Sequence, residues 1–261
     1  MQLHKQTILA QLEPAFHPEI YIFDSVLSTN DTAKTLPKTA HNQPLIVLAN
    51  AQTGGKGRLG RSFFSPPGQG LYMSIRLHIK EQEFTLLSAA AGVAVCKAME
   101  TLYHLTPKIK WVNDICLQDK KLCGILVENL SAGGSTPNST IIGIGINLST
   151  VFPPDLQERA TCLCRATNCP IDKNSLAAQI ANHVCNAVAM RDQQGLIKQY
   201  RARSMMPGRQ VTVFHAGKSY QAQAVDIAPN GGLIVRTEDD QLQTLTSGEV
   251  TLRFLPDDKI L

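Results

Sequence analysis

The stretch from Phe84 to Leu105, FTLLSAAAGVAVCKAMETLYHL, carries small or apolar residues nearly all round a helical projection. A helix without a polar face must be covered on several sides, and its alanines and Gly92 invite close packing on a sheet. Strands to supply that sheet are predicted on both sides of it. Apolar runs bounded by turn residues mark Ile20–Leu27, Leu45–Ala49, Lys108–Trp111, Ile115–Gln118, Leu122–Asn129 and Thr140–Asn147. In Leu71–Leu77 the alternation puts Leu71, Met73, Ile75 and Leu77 on one face. Ser28-Thr29-Asn30-Asp31 offers capping side chains for a short helix over Asp31–Leu36, which Pro37 ends. Ser131–Ser139 reads as a loop, and Leu176, Ile180, Val184 and Val188 mark an amphipathic helix. Gly195 is read as separating that helix from a second one ending near Ser204.

Pro207-Gly208 marks a change of character. Beyond it, Val211–Val213, Tyr220–Ile227, Gly232–Arg236 and Gln241–Leu245 are short strands between turn-rich spacers, the pattern of a small all-β barrel. Two domains are therefore expected, residues 1–206 and residues 207–261.

Composition excludes several classes. No apolar run reaches the roughly 18 residues that a membrane-spanning helix needs. The opening MQLHKQTILAQLEPAFHPEI has no continuous apolar core of a signal peptide, so the expected location is cytoplasmic, away from membranes. The net charge is +4 on 25 Lys plus Arg and 21 Asp plus Glu, without a basic stripe, which is not the pattern of a nucleic-acid binder. The seven cysteines are an odd number in a long chain, which argues against a disulfide framework. Cys162, Cys164 and Cys169 are close in sequence, but no CxxC pair or neighbouring His supports a metal site, and none is expected.

Chemistry concentrates in three segments. Gln52–Gly70 holds six glycines and two prolines, too broken for regular structure and too long for an ordinary connection. Within it, Gly54, Gly55, Gly57 and Gly60 alternate with Lys56, Arg58 and Arg61. Glycine lets backbone approach a ligand, and the cations add charge-assisted hydrogen bonds to phosphate or carboxylate. No Gly-Lys-Ser/Thr follows, so this is not a Walker loop. The other two segments are Lys110-Trp111-Val112-Asn113-Asp114 and Lys121-Leu122-Cys123-Gly124. Alone, the first reads as a surface turn and Lys120-Lys121 as a solvated hairpin tip.

Together these pieces are similar to the biotin protein ligase family over nearly the whole chain. The matching set, in the family's order and spacing, is Ser28-Thr29-Asn30, Gln52–Arg61, Phe63-Phe64-Ser65-Pro66, Leu71-Tyr72, Lys110-Trp111-x-Asn113-Asp114, Lys121-Leu122-x-Gly124-Ile125-Leu126-Val127-Glu128 and Gly143-Ile144-Gly145-Ile146-Asn147. The resemblance implies an α+β fold: a mixed-sheet catalytic domain of the biotin/lipoate ligase type with a small C-terminal SH3-like β-barrel. It implies a reaction in which biotin and MgATP give biotinyl-5′-AMP, and biotin then passes to a lysine of the biotin carboxyl carrier protein of acetyl-CoA carboxylase. The cofactors implied are ATP and Mg²⁺.

By that resemblance, Ser28, Thr29 and Gln52 hold the ureido ring with backbone near Gly55 and Lys56, and Asn30, Gly57, Trp111, Gly124 and Asn147 belong to the binding set. Arg58 and Arg61 neutralise phosphate. Lys121 binds carboxylate and then α-phosphate, with Lys110 in support. Asn113 and Asp114 either hold Mg²⁺ or orient the incoming amine, and Gly143 and Gly145 let a strand lie against the ligand. The catalytic set is Lys121, Arg58, Lys110 and Asp114. Lys56, Val112 and Phe63 stand where the family often has arginine, proline and tryptophan. Only about 19 residues precede the first predicted strand, too few for the DNA-binding domain that some members carry, so no operator binding is expected. A monomer or weak homodimer is expected. A lipoate–protein ligase is the nearest rival, and the Lys/Arg-bearing glycine loop favours biotin.

Overall fold

The computed structural model describes residues 2–252 except 38, 40–42, 80–85, 131–138, 216–217 and 247–248. The order of elements is α1 (Lys5–Leu9), β1 (Glu19–Phe23), α2 (Thr29–Thr35), β2 (Leu45–Ala49), β3 (Gly70–His78), α3 (Leu87–Tyr103), β4 (Lys108–Lys110), β5 (Asp114–Leu117), β6 (Lys120–Leu130), β7 (Ser139–Asn147), α4 (Pro154–Gln157), α5 (Lys173–Met190) and α6 (Gln193–Arg203). Then come β8 (Gln210–His215), β9 (Lys218–Ile227), β10 (Leu233–Thr237), β11 (Leu242–Leu245) and β12 (Glu249–Leu252).

Strands β1 to β7 form one mixed sheet in the order β1-β2-β3-β7-β6-β5-β4. Only β1 and β2 run parallel in it; the other neighbours are antiparallel. Strands β8 to β12 form a second, antiparallel sheet in the order β11-β10-β9-β8-β12. Sequence patterning missed β12. It also missed α1, which lies against α5 and β1. Two α5 side chains hold this N-terminal segment: Asn174 Oδ1 accepts from the His4 amide at 2.8 Å, and Asn182 Oδ1 from the Glu13 amide at 3.0 Å.

The long apolar helix is α3, buried along most of its length as its composition required. Its expected start at Phe84 lies outside the described residues. It packs on α5 and on β5, β6 and β7, with Gly92 facing Ile109 and Ile115. It ends on His104 in the left-handed conformation (φ 56°), where the His104 amide donates back to Glu100 O and the Leu105 amide to Met99 O. Of the expected loop, residues 131–138 likewise lie outside the described residues, and Ser139 already belongs to β7. Gly195 does not separate the last two helices. The break falls at Arg191 (φ 52°), and Gly195 sits in the first turn of α6, where Asp192 Oδ1 accepts from its amide at 2.8 Å.

The alternation in β3 divides the molecule. Leu71, Met73, Ile75 and Leu77 enter the main core with α3 and α5. The opposite face is not solvated: Tyr72, Ser74 and Arg76 are all buried, because α2 and the glycine-rich segment cover them. Burial of polar groups demands partners. Tyr72 donates its hydroxyl to Pro66 O at 2.9 Å. Arg76 donates to the carbonyls that close α2, Ala33 O at 2.8 Å, Leu36 O at 2.7 Å, and also Pro37 O. A guanidinium at a helix C-terminus satisfies orphan carbonyls and opposes the helix dipole.

We predict that Arg76→Ala lowers unfolding stability by about 2–3 kcal/mol, since hydrogen bonds to charged groups contribute about 1.5–3 kcal/mol and the carbonyls stay buried. Urea unfolding measures this, and a loss under about 0.5 kcal/mol would show that α2 does not rely on Arg76.

Candidate active site

The glycine-rich segment is more regular than its composition suggested. It folds into a small hairpin over the sheet. Phe63 N donates to Gly55 O at 2.8 Å, Lys56 bridges to Ser62, and Gly57 N donates to Arg61 O at 2.7 Å. Leu59 and Gly60, both left-handed at φ 55° and 73°, form its tip. Gly55–Gly60 does spell G-x-G-x-x-G, but on a hairpin rather than between a strand and a helix, so it is no dinucleotide-binding turn.

Beneath the hairpin lies a cleft lined by 22 residues, among them Ser28, Thr29, Asn30, Gln52, Lys56, Gly57, Arg58, Arg61, Lys110, Trp111, Asn113, Asp114, Lys121, Gly124, Gly143 and Gly145. All the expected site residues are there except Gly55 and Asn147. Gly55 packs below, where a Cβ would come within 2.5 Å of Phe63 O and 2.6 Å of Ser65 Oγ. Asn147 ends β7 opposite Gly70 and accepts from Thr150 Oγ1 at 3.4 Å.

The floor is made of paired strands. Gly124 of β6 lies opposite Gly145 of β7, and Leu126 opposite Gly143. A Cβ on Gly145 would come within 2.5 Å of the Phe63 ring, and one on Gly124 within 3.1 Å of that ring and 3.3 Å of Lys121 Nζ. A Cβ on Gly143 would collide with Asn30 Oδ1. The glycines therefore make a trough from Asn30 to Lys121, roofed in this state by Phe63.

One wall is a neutral polar network at the start of α2. Ser28 caps the helix, Asp31 N donating to its hydroxyl at 3.5 Å. Gln52 Oε1 accepts from Thr29 N at 2.8 Å and lies 3.1 Å from the Thr29 hydroxyl, while Gln52 Nε2 donates to Ser65 Oγ at 3.0 Å. The buried Ser74 hydroxyl lies 2.6 Å from Asn30 Oδ1 and 2.7 Å from Thr29 Oγ1. Counting protons orders this chain. Asn30 Oδ1 only accepts, so Ser74 donates its single proton there, and Thr29 points its own toward Ser74 or Gln52. Asn30 Nδ2 donates to Glu128 Oε2 at 2.7 Å, so the Asn30 amide is spent inside the protein and braces the wall. Ser74 was not singled out by sequence reasoning. The signal was a small hydroxyl residue inside an apolar run.

The other wall is charged. Lys121 Nζ pairs with Asp114 Oδ1 at 2.7 Å. The solvated tip of this hairpin is Gln118-Asp119, both at positive φ; Lys121 belongs to β6. The β5–β6 register shifts at Ile115/Cys116. Lys121 is also pinned from outside the sheet: its amide donates to Arg159 O, and Thr161 N donates to its carbonyl, each at 2.9 Å. Asn113 Nδ2 donates to Ile125 O at 2.6 Å, and its Oδ1 lies 3.4 Å from Arg58 Nη1, so the hairpin reaches across the cleft. Trp111, followed by a cis peptide bond to Val112, is buried, and its indole donates to Gly231 O of the second sheet's β9–β10 turn at 3.0 Å. Leu59, Ser62, Phe63, Ile125, Leu126 and Ile144 complete the lining. None of these six was among the expected site residues, although all but Ser62 stand in the quoted motifs.

The profile of the "Biotin/lipoate A/B protein ligase family" matches residues 22–147, and that of the "Biotin protein ligase C terminal domain" matches residues 208–253. The bifunctional ligase/repressor BirA of Bacillus spizizenii is 37% identical over 162 residues, 60% of this chain and 50% of that protein. This chain thus spans about half the length of that relative. A biotin–[acetyl-CoA-carboxylase] ligase of Mycobacterium tuberculosis is 28% identical over 223 residues, covering 80% of this chain and 81% of its own. Among solved structures, the Aquifex aeolicus biotin protein ligase in complex with biotin and ATP superposes with a TM-score of 0.78 at 27% identity, over 90% of this chain and 98% of that one.

The hairpin base is tied to α2 by Lys56 Nζ, 2.6 Å from Asp31 Oδ2. Burial pushes the Asp31 carboxyl up, but Lys56 and Lys34 outweigh it, and the net shift is below the ordinary 3.8. A folded value under the unfolded one means that the tie is fully present above about pH 4 and is lost as pH falls through the depressed value. We predict that the Asp31 carboxyl titrates below 3.8 by carbon-detected NMR, and that Lys56→Ala raises its midpoint. A midpoint that Lys56→Ala does not move would remove the tie.

Proposed function

The chain belongs to the biotin/lipoate A/B protein ligase family, and from that premise we propose that it is a biotin protein ligase. It joins biotin to ATP as biotinyl-5′-AMP and passes biotin to a lysine of the biotin carboxyl carrier protein of acetyl-CoA carboxylase. The observation that carries this reading is the split character of the cleft. Its lining includes five cations, Lys56, Arg58, Arg61, Lys110 and Lys121, against one carboxylate, Asp114. Its other wall is a neutral network of hydroxyls and amides.

That division suits the two substrates. A ureido ring offers one carbonyl oxygen and two N–H groups, and burying them without partners costs about 1–3 kcal/mol each. The Ser28 hydroxyl, which accepts from Asp31 N, keeps a proton for the carbonyl. Thr29, whose proton is committed inward, offers a lone pair to an N–H. Gln52 retains one amide hydrogen beyond the one given to Ser65. From Gly143 to Gly145 the trough advances two residues, roughly 6–7 Å at strand spacing, toward Lys121. A carboxylate on a flexible tail running along it arrives at the Lys121 ammonium.

In the first step a biotin carboxylate oxygen attacks the α-phosphorus, and pyrophosphate leaves. Negative charge gathers on the α-phosphate oxygens, where Lys121 and Lys110 stabilise it more in the transition state than in the ground state. Asp114 is a positioning residue: paired to Lys121 at 2.7 Å, it holds the ammonium in place. Arg58 and Arg61 come from above on the hairpin and retain the adenylate phosphate, while the closed hairpin excludes water from the mixed anhydride. In the second step the carrier lysine's neutral amine attacks the acyl carbon, AMP leaves and the amine proton is lost.

Among the described residues no group of three or more His, Cys, Asp or Glu is arranged to hold a metal ion. On the protein side, the Asp114 carboxylate is the cleft group that would hold an Mg²⁺ accompanying the nucleotide. When bound it supplies charge neutralisation on the phosphates. The proposed division of labour puts this chemistry in residues 1–206. The domain of residues 207–261 braces the Trp111 turn.

The test is incubation with biotin, ATP and Mg²⁺ and mass spectrometry for biotinyl-AMP. Its formation is expected; its absence in folded protein would refute the proposal. We predict that Lys121→Ala keeps the fold and slows adenylate formation on the order of 10²–10³-fold, the effect of removing a transition-state contact of about 3–4 kcal/mol. A near-normal rate would take Lys121 out of the chemistry.

A further inference from the structure

Outside the cleft, the segment that pins Lys121 carries two thiols. Cys162 is buried and Cys164 is exposed, yet their sulfurs lie 3.4 Å apart. Cys162 is extended at the start of a short 3₁₀ turn, Leu163–Arg165. The backbone around the pair is held on both sides: Cys164 N donates to Leu148 O at 2.8 Å, and Arg165 N to Cys162 O at 3.1 Å. The Cys162 side chain packs with Phe152 and Ala160. No group of three or more His, Cys, Asp or Glu arranged for a metal ion occurs among the described residues, so nothing there makes this pair a zinc site.

We propose that Cys162 and Cys164 are a thiol-modification site, a dithiol that small-molecule disulfides oxidise to an intramolecular disulfide beside the strand that carries Lys121. A disulfide needs its sulfurs about 2.05 Å apart. Closing the remaining gap takes rotation of both side chains and a shift of the Cys162 backbone. The exposed Cys164 reacts first. Its thiolate attacks one sulfur of the oxidant, forming a mixed disulfide and releasing one thiolate. Cys162 then loses its proton to solvent and attacks the Cys164 sulfur, expelling the second thiolate. The two protein thiols lose two electrons, and the oxidant becomes two thiols.

The surroundings favour the second step only after the first. Burial, and then the hydrogen bond and charge of Cys164, push the Cys162 thiol up to about 11, while Arg165 pulls it down. Capping the Cys164 sulfur removes the Cys164 contributions and leaves burial, which still raises the thiol, opposed by Arg165. The consequence for the sheet follows from position. Thr161, next to Cys162, donates its amide to Lys121 O at 2.9 Å. Closing the disulfide pulls on the residue that completes this bond.

The reactivity of this thiol pair is independent of the proposed activity and is read without it. The full chain is treated with glutathione disulfide, and unreduced peptides are mapped by mass. The peptide bearing Cys162 and Cys164 is expected to lose two hydrogens and to regain them with dithiothreitol. Cys162→Ala is expected to accumulate the glutathione adduct on Cys164, and Cys164→Ser, a change at an exposed position, to leave Cys162 unmodified. Amide exchange at Thr161 is expected to be faster in the oxidised chain than in the reduced one. Wild-type protein that stops at the Cys164 adduct, or that joins either thiol to Cys169, would overturn the site. Unchanged exchange at Thr161 would overturn its link to Lys121.

Discussion

The cleft depends on three buried polar side chains spaced two apart on one strand. Tyr72, Ser74 and Arg76 occupy the face of β3 away from the main core, and each is almost wholly shielded from water. Leaving any of them unpartnered would cost about 1–3 kcal/mol, more for the guanidinium. Their partners are therefore structural necessities. Tyr72 fixes the end of the glycine-rich segment through Pro66, Ser74 fixes the N-terminal turn of α2 through Thr29 and Asn30, and Arg76 fixes the C-terminal end of α2. One β-strand thereby sets where the hydroxyl and amide wall stands relative to the sheet.

The sheet answers with glycine where side chains would intrude. Gly143 is required by Asn30, and Gly145 and Gly124 by the Phe63 ring and Lys121. The trough they make joins a neutral end to a cationic end, and the hairpin of Arg58 and Arg61 spans both. Reach across the cleft comes from Arg58 toward Asn113, and Asn113 is itself locked to β6 by its side chain and its carbonyl. The charged wall is thus as firmly placed as the polar one, although its long side chains remain partly solvated.

Much of this was legible in the sequence where period and chemistry agree. The buried helix, β2 and the core face of β3 followed from apolar spacing, and the segments that line the cleft were marked by glycines beside cations. What was hidden follows from tertiary context. Tyr72, Ser74 and Arg76 alternate like a solvent face, and only the packing of α2 and the glycine-rich segment makes them internal. The hairpin at Gly55–Arg61 was obscured by its glycines, because its rungs come from backbone groups with no strand-forming side chains. Lys121 looked like part of a turn tip, but Gln118 and Asp119 take the left-handed positions instead. Helix α1, at five residues, is too short for helical periodicity to register.

The central claim is that the wall of Ser28, Thr29 and Gln52 recognises a ureido ring and that the trough measures its acid tail. Isothermal titration calorimetry with biotin and with lipoate tests this most directly, because the two acids share a flexible carboxylate tail and only biotin carries the ureido group. Saturable binding of biotin, with lipoate at least about a hundredfold weaker for want of the paired donors and acceptors, is the result expected. Equal affinities, or a preference for lipoate, would contradict the account.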